Sequence, residues 1–248
     1  MSAKERIKWQ IERWIENGDE DAELCIYYEN IEEFPELPAN LQVLYCSGCI
    51  IEGLLKLPPN LKELDCYECS IEGLPELPAN LQILECSRCF YLKELPELPE
   101  SIREINCSNC SNLKELPKLP KSLQRLDCSS CPIKELPELP ESLQVLYCSA
   151  CPIKELPELP ELLRVLCCSY CPIGKLSELP PNLQRLDCSH CDDLKEIPEL
   201  PPNLQELDCS TCYYLKKLPE LPMFLKELNC IECPIESLPT ILPSIVYL

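Results

Sequence analysis

The sequence is poor in glycine, histidine and positive charge, and each shortage excludes a class of function. Its 248 residues contain five glycines, none of them in a glycine-rich phosphate loop, and a single histidine. Lysine and arginine number 22 against 42 aspartates and glutamates, which gives a formal net charge of −20. Such a surface repels phosphate backbones and anionic lipid headgroups. We therefore expect neither nucleic acid nor a membrane surface as a partner.

Long apolar runs are missing as well. No stretch reaches the length of a membrane span, and the start of the chain, MSAKERIK, lacks the apolar core of a signal peptide. The 22 cysteines are then expected in a reducing compartment, the cytoplasm, as thiols or as metal ligands, because disulfides persist mainly outside it.

Paired cysteines mark a unit of 20 or 21 residues that repeats from residue 24 onward. The first cysteines of the pairs, here called the first column, are Cys46, Cys66, Cys86, Cys107, Cys128, Cys148, Cys168, Cys188, Cys209 and Cys230. The second cysteines, the second column, are Cys49, Cys69, Cys89, Cys110, Cys131, Cys151, Cys171, Cys191, Cys212 and Cys233. A fixed period of this length is the signature of a solenoid, in which each unit packs against its neighbours.

The repeat and its flanks predict the domain organisation. We expect an N-terminal capping helix within residues 1–22, because Ser2 and Glu5 form a capping box and apolar residues then recur at helical spacing over 4–16. The predicted apolar stripe consists of Ile7, Ile11, Trp14 and Ile15. Residues 23–248 are expected to form the repeat array: one degenerate unit, ten cysteine-bearing units and a truncated strand.

Each unit has two halves with different backbone preferences. The L-x-x-L-x-C half, such as Leu143–Cys148, alternates like a short strand whose leucine and cysteine point inward. The L-P-x-L-P half fixes φ and withholds amide donors, so it should be extended or polyproline-like. In the degenerate first unit, Ile26 and Glu29 stand at the two cysteine positions.

This pattern resembles the leucine-rich repeat family. Its motif L-x-x-L-x-L-x-x-N/C-x-L is matched by Leu143, Leu146, Cys148, Cys151 and Ile153. The L-P-E-L-P segment is similar to the short repeats of bacterial effectors and of large-DNA-virus proteins. The resemblance implies a horseshoe with a parallel β-sheet on its concave face, protein recognition without catalysis on that face, and the cytosol of a host cell as the location if the protein is viral or an effector.

The cysteine columns allow two interpretations. The second column occupies the family's Asn/Cys ladder, and the first column stands where the family usually has a hydrocarbon side chain. Both columns can be reduced structural thiols. Alternatively, adjacent units supply C-x2-C-x16-C-x2-C, which is metal-ligand spacing, and all twenty cysteines of the two columns are then candidate ligands of zinc, iron or iron–sulfur clusters.

A line of acidic and tyrosine side chains immediately before the first column is expected on the concave face, with Tyr170, between two cysteines, as a further anchor. The candidate partner-binding residues are Tyr45, Asp65, Glu85, Asp127, Tyr147, Tyr170, Asp187 and Asp208. Acidic groups with tyrosine anchors suit a basic protein partner. A solvated acidic face without a partner is the alternative.

No catalytic constellation emerges from the remaining reactive residues. Cys167 lies outside both columns and should face solvent as the most accessible repeat thiol, and His190 should also point outward. A cysteine–histidine pair would need an orienting third group, and the pattern supplies none. We therefore predict that the protein is not an enzyme.

The C-terminal segment suggests self-association. Leu238, Leu242, Ile245 and Leu248 continue the repeat pattern and would leave an apolar edge on the last rung. This predicts an end-to-end homodimer.

Overall fold

The structure is a computed structural model that describes residues 2–18, 23–31, 35–51 and 56–236, and the backbone of 246–247. It divides into two compact units, an N-terminal unit, Met1–Leu123, and a C-terminal unit, Gln124–Leu248. Both are built of stacked rungs joined by parallel strand pairing, so the solenoid prediction is confirmed. The predicted apolar edge at Leu238, Leu242, Ile245 and Leu248 lies outside the described residues, and the homodimer stays a prediction.

The N-terminal unit begins with the predicted helix, α1 (Ala3–Asn17). Ser2 caps it: its hydroxyl accepts the Glu5 N–H at 3.3 Å, and the Glu5 carboxylate accepts the Ser2 N–H at 2.6 Å. Gly18 ends the helix in the left-handed conformation, as expected for a C-terminal cap. The cap satisfies backbone groups that would otherwise have no partner at the helix ends.

The apolar stripe of α1 is narrower than predicted. Ile7, Ile11 and Trp14 are buried, whereas Ile15 is 58% exposed. At about 100° per residue, Ile15 lies about 80° around the helix from Ile7, at the margin of the stripe. Including Ile15 in the packed face was therefore wrong.

Two parallel sheets form the rest of the N-terminal unit. Its strands are β1 (Leu24–Cys25), β2 (Asn30–Ile31), β3 (Val43–Tyr45), β4 (Ile50–Ile51), β5 (Glu63–Asp65), β6 (Ile83–Glu85) and β7 (Glu104–Asn106). The larger sheet pairs β1, β3, β5, β6 and β7 in chain order, and β2 pairs with β4. The helix contacts β1 and β2 and so covers the first rung, as the sequence predicted.

The C-terminal unit contains one parallel sheet in chain order. Its strands are β8 (Arg125–Asp127), β9 (Val145–Tyr147), β10 (Val165–Cys167), β11 (Arg185–Asp187), β12 (Glu206–Asp208), β13 (Glu227–Asn229) and β14 (Val246–Tyr247). Residues at equivalent repeat positions pair across neighbouring strands, as in Leu146 with Leu166 in a repeat of 20 residues and Leu186 with Leu207 in a repeat of 21. The extra residue in some repeats therefore does not disturb the register.

The alternation of side chains along each strand determines which residues form the core. The middle residue of each three-residue strand is buried, as Leu146 is. The first-column cysteine that follows is also buried, as Cys148 is, except for the half-buried Cys230. The L-P-x-L-P segments contain neither helix nor extended strand pairing in the described residues, because proline lacks the N–H that a sheet ladder requires. Their leucines, such as Leu139 and Leu159, complete the core from the opposite side.

Candidate functional site

The strand face, meaning the solvent-exposed side of each unit's sheet, carries most of the predicted partner-binding residues. Those on the N-terminal unit are Tyr45, Asp65 and Glu85, and those on the C-terminal unit are Asp127, Tyr147, Asp187 and Asp208. Each is the last residue of its strand and is half-buried. Strand register brings neighbours side by side, as in Asp65 with Glu85 and Asp187 with Asp208.

The strand-face aspartates have a structural role that the sequence pattern did not reveal. Asp187 Oδ1 accepts the backbone N–H of Ser189 at 3.1 Å and its hydroxyl at 2.7 Å. Asp208 makes the same pair of contacts with Ser210, at 2.9 and 2.6 Å. This pattern is an Asx turn, which stabilises the change of backbone direction at the end of the strand. The serines are consequently buried.

An apolar centre lies on the strand face of the C-terminal unit. Val145 pairs with Val165, and Tyr147 pairs with Cys167. Arginines stand one rung away on both sides, because Arg125 pairs with Val145 and Arg185 with Val165. The Arg125 guanidinium lies 4.8 Å from the centre of the Tyr147 ring. Aromatic and arginine side chains around an apolar centre are the composition of protein-binding hot spots.

Cys167 is buried rather than accessible, and this prediction was wrong. Only 5% of its surface is exposed, and burial raises the pKa of its thiol to about 11, with the Asp187 carboxylate adding to the effect. Alternation correctly places Cys167 on the outer side of the sheet, but its neighbours in register are Tyr147 and Asp187. Larger side chains on both flanking rungs therefore cover this short one.

Tyr170 lies away from the strand face. It occupies the turn between the two cysteines of its rung with φ of +58°, and His190 has the same position on the next rung with φ of +54°. Their rings stack in parallel, with centroids 4.1 Å apart. The sequence signal for this turn is the presence of Gly48 and Asn109 at equivalent positions, since these residues favour positive φ.

The second cysteine column forms a ladder of thiol hydrogen bonds between rungs. In the N-terminal unit, the Sγ atoms of Cys69, Cys89 and Cys110 donate to the carbonyls of Cys46, Cys66 and Cys86 at 2.8, 3.1 and 3.2 Å. In the C-terminal unit, Cys151, Cys171, Cys191, Cys212 and Cys233 donate to Cys128, Cys148, Cys168, Cys188 and Cys209 at 2.9 to 3.3 Å. Each of these thiols therefore donates to a carbonyl of the preceding rung.

The first column makes a weaker contact with the following rung. The Cys46 thiol approaches the Asp65 carbonyl at 3.3 Å, and the Cys128 thiol approaches the Tyr147 carbonyl at 3.6 Å. Both carbonyls already accept the backbone N–H of the same cysteine, at 2.7 and 2.9 Å. The first-column thiol is thus a secondary donor that mainly fills space.

Burial keeps several of these thiols protonated. It raises the pKa of Cys148 and Cys188 in the first column well above 9.0. In the second column it raises the pKa of Cys171 and Cys212 to about 12. A thiolate in the core would lose its solvation.

The cysteine geometry does not favour the predicted metal sites. Within the described residues, no three or more histidine, cysteine, aspartate or glutamate side chains are arranged to hold a metal ion. Metal ligation also requires thiolates, whereas the second-column sulfurs face carbonyl oxygens such as that of Cys128. A carbonyl oxygen accepts a thiol proton but repels a thiolate, so the residues present fit reduced thiols better than an ion.

One part of the chain matches a known protein family. Residues 122–143 match the Leucine Rich Repeat family. The chain has the leucine-rich repeat fold. A search of curated protein sequences gives no significant match.

Solved structures of bacterial effector proteins are similar to most of this chain. YopM from Yersinia enterocolitica is 29% identical with a TM-score of 0.58, over 98% of this chain and 67% of that one. YopM from Yersinia pestis, a leucine-rich effector protein, is 26% identical with a TM-score of 0.60, over 97% and 91%. A Shigella effector leucine-rich repeat domain is 25% identical with a TM-score of 0.61, over 71% and 79%. The predicted similarity to effector repeats is confirmed.

Among the described residues, no helix has both the length and the apolar character that a membrane span requires.

Proposed function

We propose that this leucine-rich repeat protein is a scaffold without catalytic activity that binds a protein partner on the strand face of its C-terminal unit. The apolar centre formed by Val145, Tyr147, Val165 and Cys167, with arginines on both flanking rungs, is the observation that carries the proposal. The strand face thus has an apolar centre surrounded by polar side chains, which is the arrangement found at protein-binding hot spots.

Charge on the same face selects the partner. Beyond Arg185, the next two rungs present Glu206, Asp208 and Glu227. The Arg185 guanidinium is already paired with Glu206 at 3.1 Å, so the remaining carboxylates dominate this end of the face. A basic protein segment that carries an apolar or aromatic anchor fits the combination. The net charge of −20 adds long-range attraction for such a partner.

A cytosolic location follows from the same proposal. The buried thiols require a reducing environment to remain donors of hydrogen bonds to backbone carbonyls. The similarity to YopM and to the Shigella effector domain supports the cytosol of a host cell as the place where the partner is met.

A peptide-display experiment tests the proposal. A library of random peptides is selected for binding to the reduced protein, and the selected peptides are measured against variants. We expect basic peptides with an apolar anchor that bind Tyr147→Ala and Glu227→Lys proteins at least about tenfold more weakly, because each variant removes a central contact or reverses a charge. The matched controls are Tyr91→Ala, an exposed tyrosine of the N-terminal unit, and Glu138→Lys, an exposed carboxylate of an L-P-x-L-P segment.

The controls should leave binding unchanged. Selection of acidic peptides, or of peptides whose affinity is insensitive to Tyr147→Ala and Glu227→Lys, would contradict binding at the strand face.

A further inference from the structure

A second exposed surface lies on the turn side of the C-terminal unit, away from the strand face. The residue between the two cysteines of each rung has positive φ in the described turns, and most side chains there are small or polar, as in Ser130 and Ala150. Tyr170 and His190 instead carry rings at this position. They lie on adjacent rungs: the Tyr170 N–H donates to the Ser189 carbonyl, and the His190 N–H donates to the Ser210 carbonyl of the rung after that. Bulky L-residues rarely adopt this conformation.

The two rings form a stacked platform in which Tyr170 is exposed and His190 is half-buried. They are nearly parallel, with an angle of 9° between their planes, and Tyr170 is 60% exposed. The buried core cannot explain a ring that stands in solvent. A stacked pair of this kind offers a flat π-face to a planar group.

Inserted residues extend the platform. Asp192 and Asp193 follow the second cysteine of one rung, and Tyr213 and Tyr214 occupy the equivalent positions on the next. The backbone turns in the same way at both insertions. The Leu194 N–H donates to the Cys191 carbonyl at 3.0 Å, and the Leu215 N–H donates to the Cys212 carbonyl at 3.1 Å. Equivalent positions on adjacent rungs are about 4.8 Å apart. The two carboxylates are exposed, and the two tyrosines are 54% and 59% exposed.

The mixture of π-faces and carboxylates selects a guanidinium group. Arginine stacks on aromatic rings and pairs with carboxylates through two parallel hydrogen bonds, whereas lysine is a compact charge that lacks the planar face. The chain uses this contact itself, since Arg88 lies over the Tyr67 ring at 5.7 Å and Arg125 over Tyr147 at 4.8 Å. Within the described residues, no arginine of the chain covers the Tyr170–His190 stack.

We infer that this turn surface, made of Tyr170, His190, Asp192, Asp193, Tyr213 and Tyr214, binds arginine side chains of a basic protein segment. The inference does not require the proposed function, because the surface differs from the strand face. In the sequence, Lys195 and Lys216 follow the buried Leu194 and Leu215.

Two fluorescent peptides of equal length and charge, one of arginine and one of lysine, provide the test. Fluorescence anisotropy should show the arginine peptide binding the full chain at least about fivefold more tightly than the lysine peptide. The Tyr170→Ala and Tyr213→Ala variants should each weaken arginine-peptide binding by about fivefold and leave lysine-peptide binding nearly unchanged. Circular dichroism and thermal unfolding establish that the variants are folded.

The N-terminal unit supplies a matched control. Tyr91 is 58% exposed at the same inserted position of its repeat, but the neighbouring turn carries Arg88, which repels a cationic peptide. Tyr91→Ala should therefore have no effect. Equal affinity for the two peptides, or arginine-peptide binding that survives both turn-surface variants, would overturn the inference. Loss of binding in Glu227→Lys alone would place the peptide on the strand face, which overturns the inference but not the proposed function.

Discussion

The two cysteine columns contain the same residue at nearly the same depth, yet they differ in what the sulfur does. The second-column thiols, such as Cys69 and Cys151, donate to carbonyls of the preceding rung at 2.8 and 3.2 Å. The first-column thiols approach carbonyls that already hold a backbone donor, as Cys128 does at 3.6 Å. The second column is therefore a hydrogen-bond ladder, and the first is a packing position filled by a small side chain.

The degenerate first rung supports the distinction. Ile26 occupies the first-column position and is fully buried, so a hydrocarbon is accepted there. Glu29 occupies the second-column position and forms an ion pair with Arg6 of α1. Where cysteine is absent, the first column takes an apolar residue and the second takes a polar one that finds a partner. The role of a buried thiol therefore depends on whether its hydrogen-bond acceptor already has another donor.

The largest expected effect is alkaline destabilisation that involves both columns. The pKa values of Cys148, Cys188, Cys171 and Cys212 are raised in the folded protein from an ordinary 9.0. Their contribution is therefore fully present below pH 9.0 and is lost as the pH rises toward the folded-state values. Each such thiol should lower the free energy of unfolding by about 1.4 kcal/mol per pH unit in that window. Urea unfolding under reductant at neutral and alkaline pH measures it.

Cys148→Ala provides the control for this prediction, because it removes one buried titrating thiol. Its stability should decline less steeply with pH than that of the unchanged protein. A free energy of unfolding that stays constant well above pH 9.0 would show that the folded thiols ionise as easily as the unfolded ones.

The second prediction separates the columns directly. Cys151→Ala removes a sulfur and the donor to the buried Cys128 carbonyl, and should cost about 2 to 3 kcal/mol of unfolding free energy. Cys148→Ala removes the same atoms from the packing column and should cost about 1 kcal/mol. Cys151→Asn should retain more stability than Cys151→Ala, since asparagine is a donor. Equal losses for the two alanine variants in urea unfolding would refute the difference between the columns.

The smallest effect concerns the first rung, where Glu29 replaces the second-column cysteine. The Arg6 guanidinium lowers the pKa of the Glu29 carboxyl, so the stability from this pair is present above the ordinary value of 4.5 and is lost as the pH falls through the folded-state value. Glu29→Gln should slightly lower the melting temperature at neutral pH, with the difference vanishing in acid. Glu36→Gln, an isolated carboxylate substitution in the same unit, is the comparison. A difference that persists in acid would assign the effect to packing.

Much of the fold was predictable from the sequence because its causes are local and periodic. The capping box at Ser2 and Glu5 defined the helix start, and the spacing of leucine and cysteine defined strands such as Val145–Tyr147. The repeat resemblance also placed the second column in a ladder. These features depend on residues within one unit or on the same position in the next.

The remaining features depend on side chains that alternation does not describe. Alternation assigned Cys167 to the outer side of the sheet but not the cover that Tyr147 and Asp187 provide across rungs. The positive φ of Tyr170 and its stacking on His190 arise in a turn, where strand periodicity ends. Whether paired cysteines hold an ion or a proton depends on the direction of carbonyl groups, which spacing alone does not encode.

Native mass spectrometry of protein purified without oxygen tests the central claim most directly. Reduced ladders predict the mass of the unmodified chain with all 22 cysteines as thiols. A mass increased by zinc, iron or iron–sulfur clusters, or decreased by two hydrogens for each disulfide, would contradict the account.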